Sequence, residues 1–345
     1  MNKITVLAGD YIGPEIMDAG LKVLKAATEN TDFKYQLAVC PFGGEAIDKC
    51  GTPLPQTTID ECTTSDAVLL AAIGGPQWDN EKERPEAGLL KIRQVLNLFA
   101  NIRPTEITTN MTKYSPLKNA TNTDFVIVRE LTSGIYFGRP REMTSSYALD
   151  TMRYQTQEIE RVARVAFKMA TNRRKKVTMV DKSNVLATSK LWRKVVTAVA
   201  KDYPEVELDF CYVDAMAMKI ISQPEQFDVI LTENLFGDIL SDEAAEITGS
   251  LGSIPSMSIG ESKLALYEPI HGSAPDIAGK NIANPFSMIN SVKMMLINSF
   301  QQNEIAAKIT QAVDAAIKNN VVTPDLNGKS TTSEVTEFII NEIRK

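Results

Sequence analysis

At 345 residues the chain is long enough for two domains, and its 43% hydrophobic and 23% charged residues describe an ordinary soluble globular protein. A formal charge of −6 gives no electrostatic reason to bind nucleic acid, and no apolar run approaches the roughly 20 residues that span a bilayer. The four cysteines (Cys40, Cys50, Cys62, Cys211) lack metal or redox spacing and read as reduced thiols in a cytoplasm; with one histidine, His271, any metal should be a hard cation on oxygen ligands.

In chain order, "MNKITVLAGD" opens directly into a strand pattern, unlike a signal peptide. Strands are predicted at "KITVLAG" (3–9), "AVLLAAIGG" (67–75), "DFVIVRE" (124–130), "KVTMVD" (176–181) and "FDVILTE" (227–233). Between them, "RPEAGLLKIRQVLNLFANIRP" (84–104) carries Glu86, Leu89, Leu90 and Arg93 at helical spacing, one stripe of mixed character. An arginine beside two leucines can clamp a carboxylate while the leucines enclose a branched alkyl group; taken in isolation, a core stripe with charged ends explains it better. Arg103 and Arg129 follow at or near strand ends. "QEIERVARVAFKMA" predicts a helix burying Ile159, Val162, Ala163, Ala166, Phe167 and Ala170. The basic run Arg173–Lys176 suits the C-terminus of that helix. "EVELDFCYVD" (205–214) alternates, with Val206, Leu208, Phe210 and Tyr212 on one face and Glu207, Asp209 and Cys211 on the other.

This alternation of strands and helices, with no flexible linker, predicts an α/β protein. Three segments repeat one scheme of strand, charged residue and helix: "VTMVD-KSNVLATSKLW", "YVD-AMAMKII" and "VILTENLFGD-ILSDEA". Carboxyl ends of strands are where α/β proteins bind ligands. In the third, Asp238 and Asp242 lie four apart on one helix face, opposite an apolar stripe of Leu240, Ala244, Ile247 and Leu251. Alone the pair fits an ordinary solvated face. Joined by Asp214, and with Asp214 and Asp238 both terminating strands, it also fits a Mg²⁺ or Mn²⁺ site completed by substrate and water.

"GGPQWD", "RPEAGLLKIR", "LFANIRP", "VRELTSGIYFG", "DTMRY", "VDKSNVL", "LWRKVV", "YVDAMAM", "TENLFGDILSDEA", "TGSLG" and "YEPIHGSAPDIAGKNIANP" together resemble the β-decarboxylating dehydrogenases of isocitrate and isopropylmalate. The resemblance covers nearly the whole chain; "FGDILSDEA" and "HGSAPDIAG" mark the superfamily, and "RPExGLLxxR" is more specific to the isopropylmalate branch. It implies a two-domain, non-Rossmann α/β fold with the active site in the interdomain cleft. Residues 1–99 with 252–345 would form the NAD-binding domain that holds both termini, and 100–251 the domain of the dimer interface. The implied reaction is NAD-dependent oxidative decarboxylation of 3-isopropylmalate to 4-methyl-2-oxopentanoate, a step of leucine biosynthesis. A relative acting on another substituted malate or tartrate, or an inactive assembly subunit, are the alternatives.

The resemblance also assigns roles. Arg93, Arg103 and Arg129 would grip the substrate's carboxylates, Leu89 and Leu90 would meet the isopropyl group, and Glu86 would lie near the nicotinamide and the substrate. Asp214, Asp238 and Asp242 would surround the Mg²⁺ or Mn²⁺ with the substrate's hydroxyl and carboxylate. Tyr136 and Lys182 would be the acid–base pair, with Lys182 held neutral by cationic surroundings and burial, and Asn184 beside the nicotinamide. Lys182 and Asp214 would reach the other subunit's site, making a homodimer. There is no G-x-G-x-x-G after a strand; the resemblance implies instead that NAD binds through His271, Gly272, Ser273, Ala274, Pro275, Asp276 and Ile277, with Asn284 at the adenine edge. An acid at 276 favours ribose hydroxyls over a 2′-phosphate. Two positions depart from the family: Tyr11 and Ser133 stand where glycine is usual. A positive φ at Tyr11 would cost about 1 kcal/mol or more.

Overall fold

The computed structural model describes residues 1–345, which form two units: Met1–Leu98 with Gly249–Lys345, and Phe99–Thr248. In chain order the first unit begins with β1 (Asn2–Gly9), α1 (Gly13–Thr28), β2 (Tyr35–Val39), α2 (Gly44–Cys50), α3 (Gln56–Thr63), β3 (Ala67–Ala72) and α4 (Pro85–Val95). The second comprises β4 (Ala100–Glu106), β5 (Asp124–Glu130), β6 (Arg141–Met143), β7 (Ala148–Asp150), α5 (Thr156–Thr171) and β8 (Lys176–Asp181). It continues through α6 (Ala187–Ala200), β9 (Glu207–Tyr212), α7 (Val213–Ser222), β10 (Val229–Thr232) and α8 (Asn234–Glu246). The first unit is completed by β11 (Pro255–Ile259), β12 (Ala265–Pro269), α9 (Phe286–Asn298), α10 (Asn303–Lys318) and α11 (Thr332–Ile343). The α/β class expected from the sequence is the class that forms.

In the first unit the strands run β2-β1-β3-β12-β11, parallel except for the antiparallel β11–β12 pair. β3, "AVLLAA", is buried at every position, the run expected of a parallel strand covered on both faces. Leu7, Phe42, Val68, Leu70, Ile92 and Leu266 belong to one core cluster there, against which Leu89 packs.

The second unit orders its strands β4-β5-β10-β8-β9, with only β4–β5 antiparallel. α5 buries the six residues its periodicity marked, against β5, β10 and α6. Beyond its end, Arg173 donates to Asp124 and Asp228, each at 2.7 Å, so the basic run is tied down within the unit. β6 and β7 form a separate antiparallel arm whose residues are all exposed.

Two expectations need correction. The alternating segment does form β9, yet Leu208 and Phe210 are half-buried, Tyr212 is exposed and Cys211 is buried. β9 is an edge strand paired only with β8, and its aromatic face is covered by the Arg193 guanidinium, 4.8 Å from the Phe210 ring. Leu251 also leaves the expected stripe: α8 stops at Glu246, while Leu240, Ala244 and Ile247 are buried and Leu251 is exposed.

Candidate active site

α8 brings together most of the charged residues singled out in the second unit. Asp238 and Asp242 share one face, but Asp238 lies one turn inside the helix rather than at the end of β10. The register decides this, because the strand ends at Thr232 and the helix starts at Asn234. Buried Arg129, from the end of β5, donates its Nε and Nη2 to Asn234 Oδ1 at 3.1 and 2.8 Å, and its Nη1 to Asp238. Buried Arg103, from β4, donates Nε to Asn101 Oδ1 at 2.7 Å and Nη1 to Ser241 Oγ at 2.6 Å. The same Nη1 reaches Asp242 at 3.3 Å, and Nη2 lies 3.8 Å from Asp238.

The Tyr136 hydroxyl donates to Asp238 Oδ2 at 2.8 Å. Burial, reinforced by that carboxylate, pushes its pKa up to about 12, so the phenol keeps its proton. Partial desolvation also raises Asp242, against the pull of Arg103. Gly237 permits this packing: a Cβ there would stand 2.2 Å from Thr232 Oγ1 and 2.7 Å from Arg129 Cγ. Asn234 and Ser241, which fix the two arginines, were missed by the sequence reading. Asn234, Asp238 and Asp242 fall at i, i+4 and i+8, so the helical spacing that flagged the acids also contained the asparagine.

Lys182 follows β8 and Asp214 opens α7 after β9, and the register sets Asp181 beside Tyr212. Lys182 Nζ therefore donates to Asp214 Oδ1 at 2.5 Å, and this bond holds the Asp214 carboxyl below its usual range. The surroundings expected for the lysine are thus reversed: the chain's own neighbour is an anion, and the side chain is only partly buried. Asn184 is exposed on the same turn. Within one chain no three acidic, histidine or cysteine side chains are grouped to hold a metal, so Asp214 does not join Asp238 and Asp242 there.

In the first unit Arg93 is buried at 7% exposure and its Nη2 donates to Glu268 Oε1 of β12 at 2.8 Å. Its Nε has no partner. Glu268 was not anticipated, because its pairing depends on β12 lying near α4. On that helix Glu86 is exposed and Leu89 and Leu90 are half-buried. The segment His271–Ile277 is anchored near the carboxyl ends of β1 and β3: Ser273 Oγ donates to Gly74 O at 2.6 Å, and Ile12 N–H donates to Ser273 O at 3.1 Å. His271 Nδ1 lies 2.9 Å from Gly272 O, Nε2 is buried without a partner, and burial lowers the ring's pKa. Gly272, Pro275 and Asp276 are exposed, and Ala274 and Ile277 half-buried. Asn284 is committed locally, accepting from Phe286 N–H at 2.9 Å and donating to Asp325 at 2.8 Å.

The departures from glycine have different outcomes. Tyr11 does take a positive φ, +50°, with its ring edge-on to Trp78 at 5.7 Å and over Gly75, where a Cβ would lie 2.2 Å from it. Ser133 has φ −137°, which any residue adopts, and the positive φ falls on Gly134.

A family model described as isocitrate/isopropylmalate dehydrogenase matches residues 3–339. A relative from Lactococcus lactis subsp. lactis, named 3-isopropylmalate dehydrogenase, is 56% identical over 339 residues, covering 98% of each chain. One of the same name from Staphylococcus haemolyticus is 53% identical over 344 residues, 99% of this chain and 98% of its own. Among solved structures, isocitrate dehydrogenase from Methylococcus capsulatus superposes with a TM-score of 0.91 at 37% identity, covering 100% of both chains. A β-decarboxylating dehydrogenase from Thermococcus kodakarensis gives 0.81 at 36%, over 99% of this chain and 96% of that one. With the arginine, aspartate and tyrosine cluster on α8, these matches place the chain in the isocitrate/isopropylmalate dehydrogenase family.

Proposed function

We propose that the chain is an NAD-dependent enzyme that oxidises and decarboxylates 3-isopropylmalate to 4-methyl-2-oxopentanoate in leucine biosynthesis. Family membership is consistent with a nucleotide cofactor and a divalent metal. The observation that carries the reading is the pair of buried guanidiniums, Arg103 and Arg129, held against Asp238 and Asp242, with the Tyr136 hydroxyl donating to Asp238. Such a cluster suits a substrate with two carboxylates.

Asp238 and Asp242 supply hard oxygen donors one turn apart, with side chains 34% and 58% exposed, a donor set that fits Mg²⁺ or Mn²⁺. When bound, the cation makes the substrate hydroxyl more acidic and stabilises developing negative charge. Asp214 would be the third donor, coming from the partner chain. The orphaned Nε2 of His271 and the open segment around Gly272 and Asp276 fit the adenosine half of NAD, the hydride acceptor. Arg93, Arg103 and Arg129 would bind carboxylates, and Leu89 and Leu90 would face the isopropyl group. Lys182 would take the hydroxyl proton as hydride leaves C2, in the neutral form that it can adopt once Asp214 turns from it to the cation. Once carbon dioxide departs, Tyr136 would return a proton to C3 of the enol. Its protonated phenol is suited to that role.

A homodimer sharing Lys182 and Asp214 is supported by the apolar side chains exposed near them, Val185, Met218 and Ile221, and by Met143, Tyr147 and Leu149 on the arm. Four free thiols fit a cytoplasmic setting.

The test is NADH formation from 3-isopropylmalate, with and without EDTA, compared with isocitrate, malate and tartrate. Metal-dependent turnover with at least about tenfold preference for 3-isopropylmalate is expected, since polar groups would be unpaired against Leu89 and Leu90. A preference for tartrate, or no turnover by a folded chain, would select one of the rivals. Lys182→Met should lower kcat by about a hundredfold or more; undiminished turnover would reject Lys182 as the base.

A further inference from the structure

Three acids unused by the proposed reaction stand at the carboxyl ends of adjacent strands in the second unit. Glu130 ends β5, Asp181 ends β8 and Glu233 follows β10. Thr232 is in register with Arg129 on one side and Val180 on the other, so these acids are the next residues along neighbouring strands. All three are 0% exposed. Burial at this level requires partners. Glu130 accepts from the N–H groups of Thr132 and Ser133, at 2.8 and 2.9 Å, and from the Thr132 hydroxyl. Asp181 accepts from Ser183 N–H at 2.8 Å and is paired with Arg193 at 2.5 Å.

Glu233 is different. It occupies the N-cap of α8, where a short polar side chain ordinarily receives the helix's first N–H groups, and its own side chain makes no capping bond. Instead Oε1 accepts the Ser189 hydroxyl at 2.5 Å, and Oε2 has no partner. Ser189 Oγ, also fully buried, accepts the N–H of Lys182 at 3.1 Å. A buried hydroxyl that accepts a backbone hydrogen bond still has its own O–H to donate, and Glu233 is the acceptor for it. The next residue, Asn234, holds Arg129, and the same helix carries Asp238, the acceptor for Tyr136.

We propose that Glu233, acting through the Ser189 hydroxyl, is a positioning residue that fixes the main chain at Lys182 and ties this turn to the start of α8. A lysine side chain has four rotatable bonds, so the placement of its amine depends on a fixed backbone. The inference rests on Lys182 being the proton acceptor proposed above. It requires an acceptor at 233 rather than a charge.

The experiment compares Ser189→Ala, Glu233→Leu and Glu233→Gln in the full chain. Amide hydrogen exchange at 182–186 and steady-state kinetics with 3-isopropylmalate are both measured. Ser189→Ala and Glu233→Leu are expected to speed exchange at Lys182 by about tenfold and lower kcat by about tenfold, with KM within about twofold. Glu233→Gln, whose amide oxygen still accepts, is expected to remain near wild type in both. Exchange at Lys182 unchanged in folded Ser189→Ala, or Glu233→Gln behaving like Glu233→Leu, would overturn the proposal. If neither disruptive variant folds, the wild-type chain decides it: a Lys182 amide exchanging at the unprotected rate rejects the tie, and a protected one supports it. Exchange is read without turnover, so an inactive wild type with the expected exchange pattern would reject the substrate reading and leave the tie standing.

Discussion

At the scale of single residues, Arg129 shows how a functional charge is placed by what a neighbour lacks. Its guanidinium lies over α8 because Gly237 has no Cβ to meet its stem. Gly237→Ala should displace Arg129, lower kcat/KM for 3-isopropylmalate by at least about tenfold, mainly through KM, and cost about 1–3 kcal/mol in stability. Steady-state kinetics and urea unfolding of the variant check both, and wild-type values would show that the helix can shift without moving the arginine. Tyr11 is the reverse case. A left-handed tyrosine costs about 1–2 kcal/mol, and its edge-on contact with Trp78 returns a comparable amount, roughly 0.5–1.5 kcal/mol.

At the scale of elements, the ends of β5 and β10 carry a titration that the whole chain should register. Burial raises Glu130 and Glu233 from the ordinary 4.5 to about 7. Between those values the folded chain binds more protons than the unfolded one, so stability falls as pH rises through this window. The urea midpoint of the wild type relative to Glu233→Gln should therefore decline from pH 5 to pH 8, because glutamine removes one of the two groups. A constant difference between them across that range would mean that Glu233 does not titrate there.

For the whole molecule, the prediction concerns two chains. If Lys182 serves the partner's site, mixing inactive Lys182→Met and Tyr136→Phe chains after dissociation should restore activity. Each hybrid dimer would have one complete site, giving roughly a quarter of wild-type turnover. No recovery from a mixture shown by sedimentation to contain hybrids would confine Lys182 and Tyr136 to one chain's site.

The sequence alone determined what depends on local periodicity. The apolar stripe of α5 and the single face shared by Asp238 and Asp242 follow from the helical spacing of 3.6, and the strands at β3 and 124–130 from short continuous apolar runs; all were legible before any fold was known. The motifs likewise carried the family. Only the tertiary structure decided which charges meet. Arg93 on Glu268, Lys182 on Asp214, Tyr136 on Asp238 and the row of Glu130, Glu233 and Asp181 join residues from 32 to 175 positions apart or across strand register. The alternation in β9 was readable, but the burial of its faces was not, because that depends on what covers an edge strand. Periodicity fixes which way a side chain points along its own element; strand order and register fix what it finds there.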